Sequence, residues 1–389
     1  SVSLLRSQHG ESNMNTIETN SLHLNHSQNN MAEFASIWEL ATEIKSKLDA
    51  QVSQENQSSQ TENPKKKIVV LYAFNATGKT RISKSLTWQD EIWETWDTMD
   101  DMLGTMDDAS ETMDVPIKTL CYNAYFEDIF KWDNENCILA FDPNSQIMKL
   151  VKEQELDNAI IDNFKDIYYS HHTKIEPSFD FIKGEVTFII ASGDEMSTSN
   201  IKISKGEESM LIWSVFHAVL ETAIEALNID DVTNRSTPAF NWLQYIIIDD
   251  PVSSVDDTKI ITMAIKLIDA IKKYKKSDIK FFITTHHALF YNVLVNSFGR
   301  LKRKGKCEFE SYSLCKKNNV YELENRNDSI FSYHLSLKET IQKAIRENSM
   351  EKYHFNLFRN LLEKTSNFLW YTDWSDCIEE WDDKEELKQ

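Results

Sequence analysis

Residues 71–80, Leu71-Tyr72-Ala73-Phe74-Asn75-Ala76-Thr77-Gly78-Lys79-Thr80 (LYAFNATGKT), decide the fold. They follow an apolar run that begins at Ile68 and lead into RISKSL at 81–86, which reads as the start of a helix. A strand, a tight loop and then Gly-Lys-Thr is the layout of a phosphate-binding loop. Chemistry dictates that order. Successive backbone N–H groups of Asn75, Ala76, Thr77 and Gly78, with the N-terminus of the following helix, converge on phosphate oxygens. Lys79 adds a cation, Thr80 offers Mg²⁺ a hydroxyl, and Arg81 belongs to the same expected nucleotide-binding set. The stretch departs from G-x-x-x-x-G-K-[ST]. Ala73 stands at the first glycine position and Ala76 where many ATPases carry another, so Gly78 alone remains. By itself the stretch is open between a nucleotide site and an ordinary strand-to-helix turn that carries a lysine.

The 389 residues have room for one large α/β domain and a smaller piece, and 10 Trp, 13 Tyr and 20 Phe can fill a core. The longest apolar stretch, 210–227, is interrupted by His217, Glu221 and Glu225, which argues for a buried core helix and against a membrane partner. No basic segment followed by an apolar one opens the chain, so no secretory signal is visible. Cys121, Cys137, Cys307, Cys315 and Cys377 form no C-x-x-C pair, which argues for reduced thiols in a cytoplasmic protein and against a zinc site. A net charge of −20 argues against a protein that coats nucleic acid. Much of that charge lies in 89–114, with ten acids and no lysine or arginine, and beyond Ser375. Both segments read as solvated excursions.

The polar composition of 1–31 predicts a disordered tail. Apolar residues at three and four predict a helix over 32–48, and 51–64 reads as a linker. Strands are expected at 67–72 and 117–122, one polar helix over 145–167, a hairpin from 179–182 and 185–191, and a short strand at 201–203. A further strand is expected at 279–284. Residues 299–306 form a basic turn with Arg300, Lys302, Arg303, Lys304 and Lys306, followed by two strands joined at 316–319. That cluster suits either RNA phosphates or the protection of a sheet edge. Two helices, 335–348 and 352–371, follow. In the second, Phe355, Phe358, Leu362, Thr365 and Leu369 share helical spacing and are the expected core face. Arg359 and Glu363 lie four apart on an adjacent face and can meet.

Later motifs complete the phosphate-binding loop. Ser204-Lys205-Gly206-Glu207, just before the long apolar stretch, resembles the signature loop of ABC-type ATPases, and also reads as a capping box with Ser204 as N-cap and Glu207 three residues on. In the ABC reading, Ser204, Gly206 and Glu207 grip the γ-phosphate held by a second subunit. YIIIDDPVSSVDD at 245–257 delivers two carboxylates to the end of a strand, where α/β sheets place ligands. Asp249 fits the acid that holds Mg²⁺. Asp250 stands where most ABC ATPases carry a catalytic glutamate, and Ser254 and Asp256 fit the loop that crosses the dimer interface. His286, at the end of the next strand, fits the γ-phosphate-sensing histidine. Asn123 and Gln146 are the candidates for a glutamine loop. The fold class expected is α/β, a P-loop NTPase of ABC-ATPase type over 32–328, with an all-helical piece over 329–389.

Taken together, AFNATGKTR, SKGEESMLIWSVF, IIIDDPVSSVDD, FFITTHH with YNVL after it, FSYHLSLK and YHFNLFRNLLEKTSNFLWYTDW resemble the bacterial PrrC-type anticodon nucleases. The resemblance runs from about residue 32 to near the chain end, and leaves 89–114 and the tail unmatched. It implies an ABC-type NTPase head that responds to ATP, GTP or thymidine nucleotides with Mg²⁺. That head would regulate a ribonuclease cutting tRNA-Lys in its anticodon loop, held latent by a type I restriction-modification complex until phage infection. A homodimer or higher homo-oligomer through the heads is implied. The family's proposed triad is an arginine, a glutamate four residues later and a histidine further on; Arg359 and Glu363 match the first two, and the histidine would fall a little beyond Gln389. The chemistry implied is metal-independent transesterification, with a base at the 2′-OH, an acid at the leaving 5′ oxygen and Arg359 on the phosphorane. With Glu363 the only proton carrier, the chain as it stands is expected to bind nucleotide but to be a poor nuclease. The competing reading is a defence or repair ATPase that acts as a nucleotide-driven sensor without nuclease activity.

Overall fold

The computed structural model describes residues 31–50, 65–88, 117–168, 175–192, 195–197, 201–252, 255–317, 319–326, 333–346, 348–369, 371 and 373–377. The tail expected at 1–30, the linker at 51–64, the acidic insertion at 89–114 and Ser254 lie outside these residues. Residue 31, the last of the expected tail, is the first of a strand.

The described chain opens with β1 (Met31–Phe34) and α1 (Ile37–Asp49), then runs through β2 (Lys66–Ala73) into α2 (Lys79–Trp88). Next come β3 (Thr119–Tyr122), the single turn α3 (Ala124–Glu127), β4 (Phe130–Asp133), β5 (Ile138–Phe141), α4 (Gln146–Glu153) and α5 (Asp157–Tyr168). A hairpin of β6 (Ile175–Asp180) and β7 (Glu185–Ser192) is followed by β8 (Glu195–Ser197). The long α6 (Lys205–Asn228) precedes β9 (Tyr245–Asp249), α7 (Asp257–Lys273), β10 (Lys280–Thr285) and α8 (Ala288–Arg303). Then come β11 (Cys307–Lys317), β12 (Val320–Asn325), α9 (Tyr333–Arg346), α10 (Lys352–Phe368) and a 3₁₀ turn at Trp374–Cys377.

Seven strands form the main sheet in the order β1-β12-β11-β2-β10-β9-β3. The five from β11 to β3 are parallel, and β12 and β1 extend one edge antiparallel. Along β2, Ile68, Val70 and Tyr72 enter one core while Val69, Leu71 and Ala73 enter another. A parallel sheet covered on both faces must be apolar on both, which is why β2, β9 and β10 read as continuous apolar runs. One face is covered by α1 and α2 through Leu40, Ala41, Ile44, Ile82 and Leu86. The other is covered by α6, α7 and α8, and the same core takes in Leu139, Phe141, Val186 and Phe188 of a smaller antiparallel sheet, β4-β5-β7-β6 with β8 beside β7. Among the described residues one helix, α6, is long and apolar enough to cross a membrane, and it is buried as the core helix, as its sequence suggests. Its Trp213 is fully buried, edge-on to Tyr122 at 5.2 Å between ring centroids. The architecture is an α/β fold with the strand, loop and helix layout of a P-loop NTPase.

Several expectations are corrected. The first helix starts at Ile37, because Ser36 accepts from Glu39 N–H while the Glu39 carboxylate accepts from Ala35 N–H, a cap that stops the helix there. Residues 31–34 instead pair with β12, Phe34 opposite Tyr321. The helix expected over 145–167 is two helices, broken where Glu155 takes a left-handed φ of 51°. The hairpin of β4 and β5 was not foreseen, and its turn is held by the Asp133 carboxylate accepting from Glu135 and Asn136 N–H. Residues 181–184 are turn, not strand, and Gly184 is required there. Its φ is +72° and a Cβ would meet the Phe141 carbonyl oxygen at 2.5 Å. The short strand before α6 is β8, and residues 201–203 are not strand.

The basic residues Arg300, Lys302 and Arg303 lie in the last turn of α8, with Lys304 and Lys306 in the turn after it. There they complement the helix C-terminus. Because α8 runs back against the direction of β10, this cluster stands at the opposite end of the sheet from the phosphate-binding loop. In α10, Leu362 is buried, but Phe355 is 62% exposed and Thr365 and Leu369 are exposed too. Among the described side chains of that helix, His354 and Ser366 are also buried. Helical spacing permits two adjacent stripes, and contact with α9, whose Leu337, Ile341 and Ala344 are buried, selects between them.

Candidate functional site

The register of three parallel strands builds the site. Thr284 of β10 stands opposite Leu71 of β2 and Asp249 of β9, so all three strands end at one level. Asn75–Lys79 emerge from β2 at that edge, with Ala76 at φ 64° and Gly78 at φ 103°. These two positive values curl the loop and start α2 at Lys79. Gly78 is the glycine the loop cannot lose. A Cβ there would lie 2.6 Å from Ile37 Cδ1, so the first turn of α1 rests directly on the loop.

Lys79 is 6% exposed and folds back over the loop. Its Nζ donates to the carbonyls of Ala73 (3.1 Å) and Phe74 (3.2 Å) and to Asn75 Oδ1 (3.2 Å). It also pairs with Asp250 Oδ2 at 3.2 Å. Asp250 takes a left-handed φ of 52°, a conformation that aspartate tolerates better than most residues. Its carboxylate accepts from His286 N–H at 3.1 Å and contacts His286 Nδ1 at 2.7 Å. Burial works to raise the Asp250 carboxyl, but the His286 hydrogen bonds and the Lys79 charge outweigh it and hold it below the usual carboxylate range. Lys79, Asp250 and His286 therefore form one continuous polar chain.

Asp249 is buried at the end of β9 and accepts from Thr284 Oγ1 at 2.6 Å. Burial pushes its carboxyl above the usual range, against hydrogen bonds from Thr284 and Thr80. A hydroxyl and a carboxylate side by side are the hard oxygen donors that Mg²⁺ takes, with phosphates and water filling its other positions. Among the described residues no group of three or more His, Cys, Asp or Glu is arranged to hold a metal ion, and a Mg²⁺ held in this way needs none. When bound, the metal would supply charge neutralisation to the phosphates, held by Thr80 and Asp249.

The other expected residues fall into separate places. Ser204 caps α6 and makes a full capping box: its hydroxyl accepts from Glu207 N–H at 3.3 Å, and Glu207 Oε2 accepts from Ser204 N–H at 2.5 Å. Both sequence readings of this loop are thus compatible, since the cap leaves Gly206 in the first helical turn. Asp256 caps α7, accepting from Lys259 N–H at 3.1 Å. Of the glutamine-loop candidates, Asn123 accepts from Phe126 N–H at 3.1 Å and Gln146 opens α4. Arg359 and Glu363 do meet, Nε to Oε1 at 2.8 Å, and remain 62% and 45% exposed on α10. His354 is buried and its Nδ1 accepts from Glu351 N–H, so it is committed to the start of that helix.

The Lys79–Asp250 pair, the Thr284 support of Asp249 and the seat of Ile37 on Gly78 were not foreseen. Each depends on strand register or on the packing of elements distant in sequence. Replacing Gly78 by alanine is expected to cost about 1–3 kcal/mol through the left-handed φ alone, with added crowding at Ile37. Urea unfolding checks this. The double variant with Ile37→Ala should recover the crowding part and not the backbone part.

No protein-family model matches the chain. Among solved structures it is similar to an SmcHead bound to the C-winged helix domain of ScpA, at 12% identity and a TM-score of 0.30, over 54% of this chain and 56% of that one. It is also similar to the SMC head domain from Thermotoga maritima, at 12% identity and a TM-score of 0.25, over 46% and 51%. The chain thus spans about half the length of these structures, and the fold assignment rests on strand order and the loop geometry. A curated protein named anticodon nuclease, from Escherichia coli, is 40% identical over 330 residues, 82% of this chain and 78% of its own length. At that identity over most of both chains, this chain belongs to the anticodon nuclease family.

Proposed function

We propose that this protein is a nucleotide-gated ribonuclease that cuts tRNA in the anticodon loop. The observation that carries the reading is the Arg359–Glu363 pair: a guanidinium and a carboxylate in contact on an exposed helix face, in a chain 40% identical to an anticodon nuclease. Arg359 would stabilise the negative charge that develops on the phosphorane, and Glu363 would hold or move one of the two protons that transesterification requires. The other proton would be carried by the histidine of the family's proposed triad.

In this reading the head binds ATP or GTP, or a thymidine nucleotide, with Asn75–Arg81 on the phosphates and Thr80 and Asp249 on Mg²⁺. Ser204, Gly206, Glu207, Ser254 and Asp256 serve the loop of a second copy, so the heads act as a homodimer or higher homo-oligomer. Asp250 and His286 read the γ-phosphate. Support comes from the Lys79–Asp250 ion pair, because an incoming triphosphate competes for Lys79 and frees Asp250 and His286 to change partners. The protein would act in the cytoplasm in anti-phage defence, held latent by a type I restriction-modification complex, with tRNA-Lys as substrate.

The test is cleavage of tRNA by the protein from its complete gene, with and without nucleotide and Mg²⁺. Expected are a single cut in the anticodon loop that leaves a 2′,3′-cyclic phosphate, and a rate that depends on nucleotide. Cleavage indifferent to nucleotide would reject the gating, and no cleavage under any nucleotide would favour a sensor ATPase.

A further inference from the structure

We propose that Phe355 is a base-stacking residue that holds an unpaired RNA base next to the bond that Arg359 and Glu363 attack. The inference rests on the nuclease reading and deepens it, since it specifies a single-stranded RNA loop as the occupant of this helix face. Phe355, Arg359 and Glu363 follow one another at intervals of four along α10, and all three are exposed or half-buried, whereas His354 beside them and Leu362 and Ser366 further along the helix are buried. Four residues of helix advance about 6 Å, so the ring lies one turn from the guanidinium.

A phenylalanine left 62% exposed forgoes most of the stabilisation its burial would contribute. Its surroundings tell what it serves. Lys352, three residues earlier, and Arg359, four residues later, are both exposed, so one aromatic face stands between two cations. Proteins that hold single-stranded nucleic acid use this pattern, the ring for a base and the cations for the phosphates on either side. A protein-docking patch would surround the ring with apolar neighbours. Among the described side chains three or four residues from Phe355 on α10, Phe358 is apolar and half-buried, and Lys352 and Arg359 are charged. Ile345 and Met350, exposed before α10 begins, make docking of a second copy the competing outcome.

The test uses the protein from its complete gene and a synthetic anticodon stem–loop, with KM, kcat, nucleotide affinity and sedimentation measured for the wild type, Phe355→Ala, Phe355→Leu and Phe355→Trp. Phe355→Ala is expected to raise KM about 10-fold with a smaller change in kcat, and to leave nucleotide affinity and thermal midpoint unchanged. Phe355→Trp should retain activity, while Phe355→Leu, apolar but without a π face, should behave like alanine. On a stem–loop made abasic beside the scissile bond, the Phe355→Ala effect should vanish. An unchanged KM in Phe355→Ala, a leucine variant equal to wild type, or a shift in oligomeric state instead of KM would overturn the assignment. A wild type that binds no stem–loop overturns the nuclease reading along with it, whereas a wild type that cleaves while Phe355→Ala cleaves equally overturns the stacking alone.

Discussion

Replacing Arg359 by alanine is expected to slow RNA cleavage about 10³-fold, a loss of ~4 kcal/mol of transition-state stabilisation, while nucleotide binding by the head is unchanged. The size follows from chemistry. A phosphorane carries charge that its ground-state diester does not, so a guanidinium aimed at it acts mainly in the transition state and lowers kcat more than it raises KM. Arg359 makes one ion pair, with Glu363, and is 62% exposed, so its removal should leave the fold intact and the loss readable as chemistry. Arg359→Lys should recover little, since a lysine lacks the planar fork. Glu363→Gln should slow cleavage about 10²-fold or more and flatten one limb of the pH–rate profile, which alanine at Arg359 should not do. A toxicity that survives Arg359→Ala but vanishes with Lys79→Ala would move the function to the head.

Lys79→Ala is expected to weaken nucleotide binding about 100-fold, measured with a fluorescent nucleotide, because it removes the buried cation that the loop directs to the phosphates. The substitution also releases Asp250. With its cation gone, the Asp250 carboxyl should titrate at higher pH than in the wild type, since the Lys79 charge is one of the influences that hold it down. A carboxyl depressed in the folded state contributes stability above its unfolded pKa and loses it as pH falls through the folded value. The variant should therefore lack part of this contribution near neutral pH and lose less stability than the wild type on acidification, which urea midpoints between pH 6 and about 3 would register. Nucleotide-dependent dimerisation should fail with it. An unchanged dimer with nucleotide still bound would reject the shared-site reading.

The head was legible where apolar runs end in polar residues. A strand buried on both faces has no room for charge until it leaves the sheet, so Asp249 at the end of β9, Asp250 after it and His286 after β10 announce the edge at which α/β sheets place ligands. The loop at 73–80 was legible for the same reason. Boundaries were harder, because Met31 and Phe34 suit a strand as well as a helix and the break at Glu155 has no proline or glycine to mark it. On α10 the periodicity was visible, yet the stripe that Phe355 and Leu369 share with Leu362 was assigned to the core and is largely in solvent.

By itself the sequence determined the strand–loop–helix at 67–86, the paired carboxylates at the end of a strand and the i, i+4 placement of Arg359 and Glu363, since each follows from spacing within one segment. Only the tertiary structure decided that Lys79 pairs with Asp250, that Thr284 braces Asp249, that Ile37 rests on Gly78 and that Phe355 faces outward. Those contacts depend on the register between β2, β10 and β9 and on where α1 and α9 come to lie. Both are settled by the packing of segments far apart in the chain, on which local periodicity has no hold.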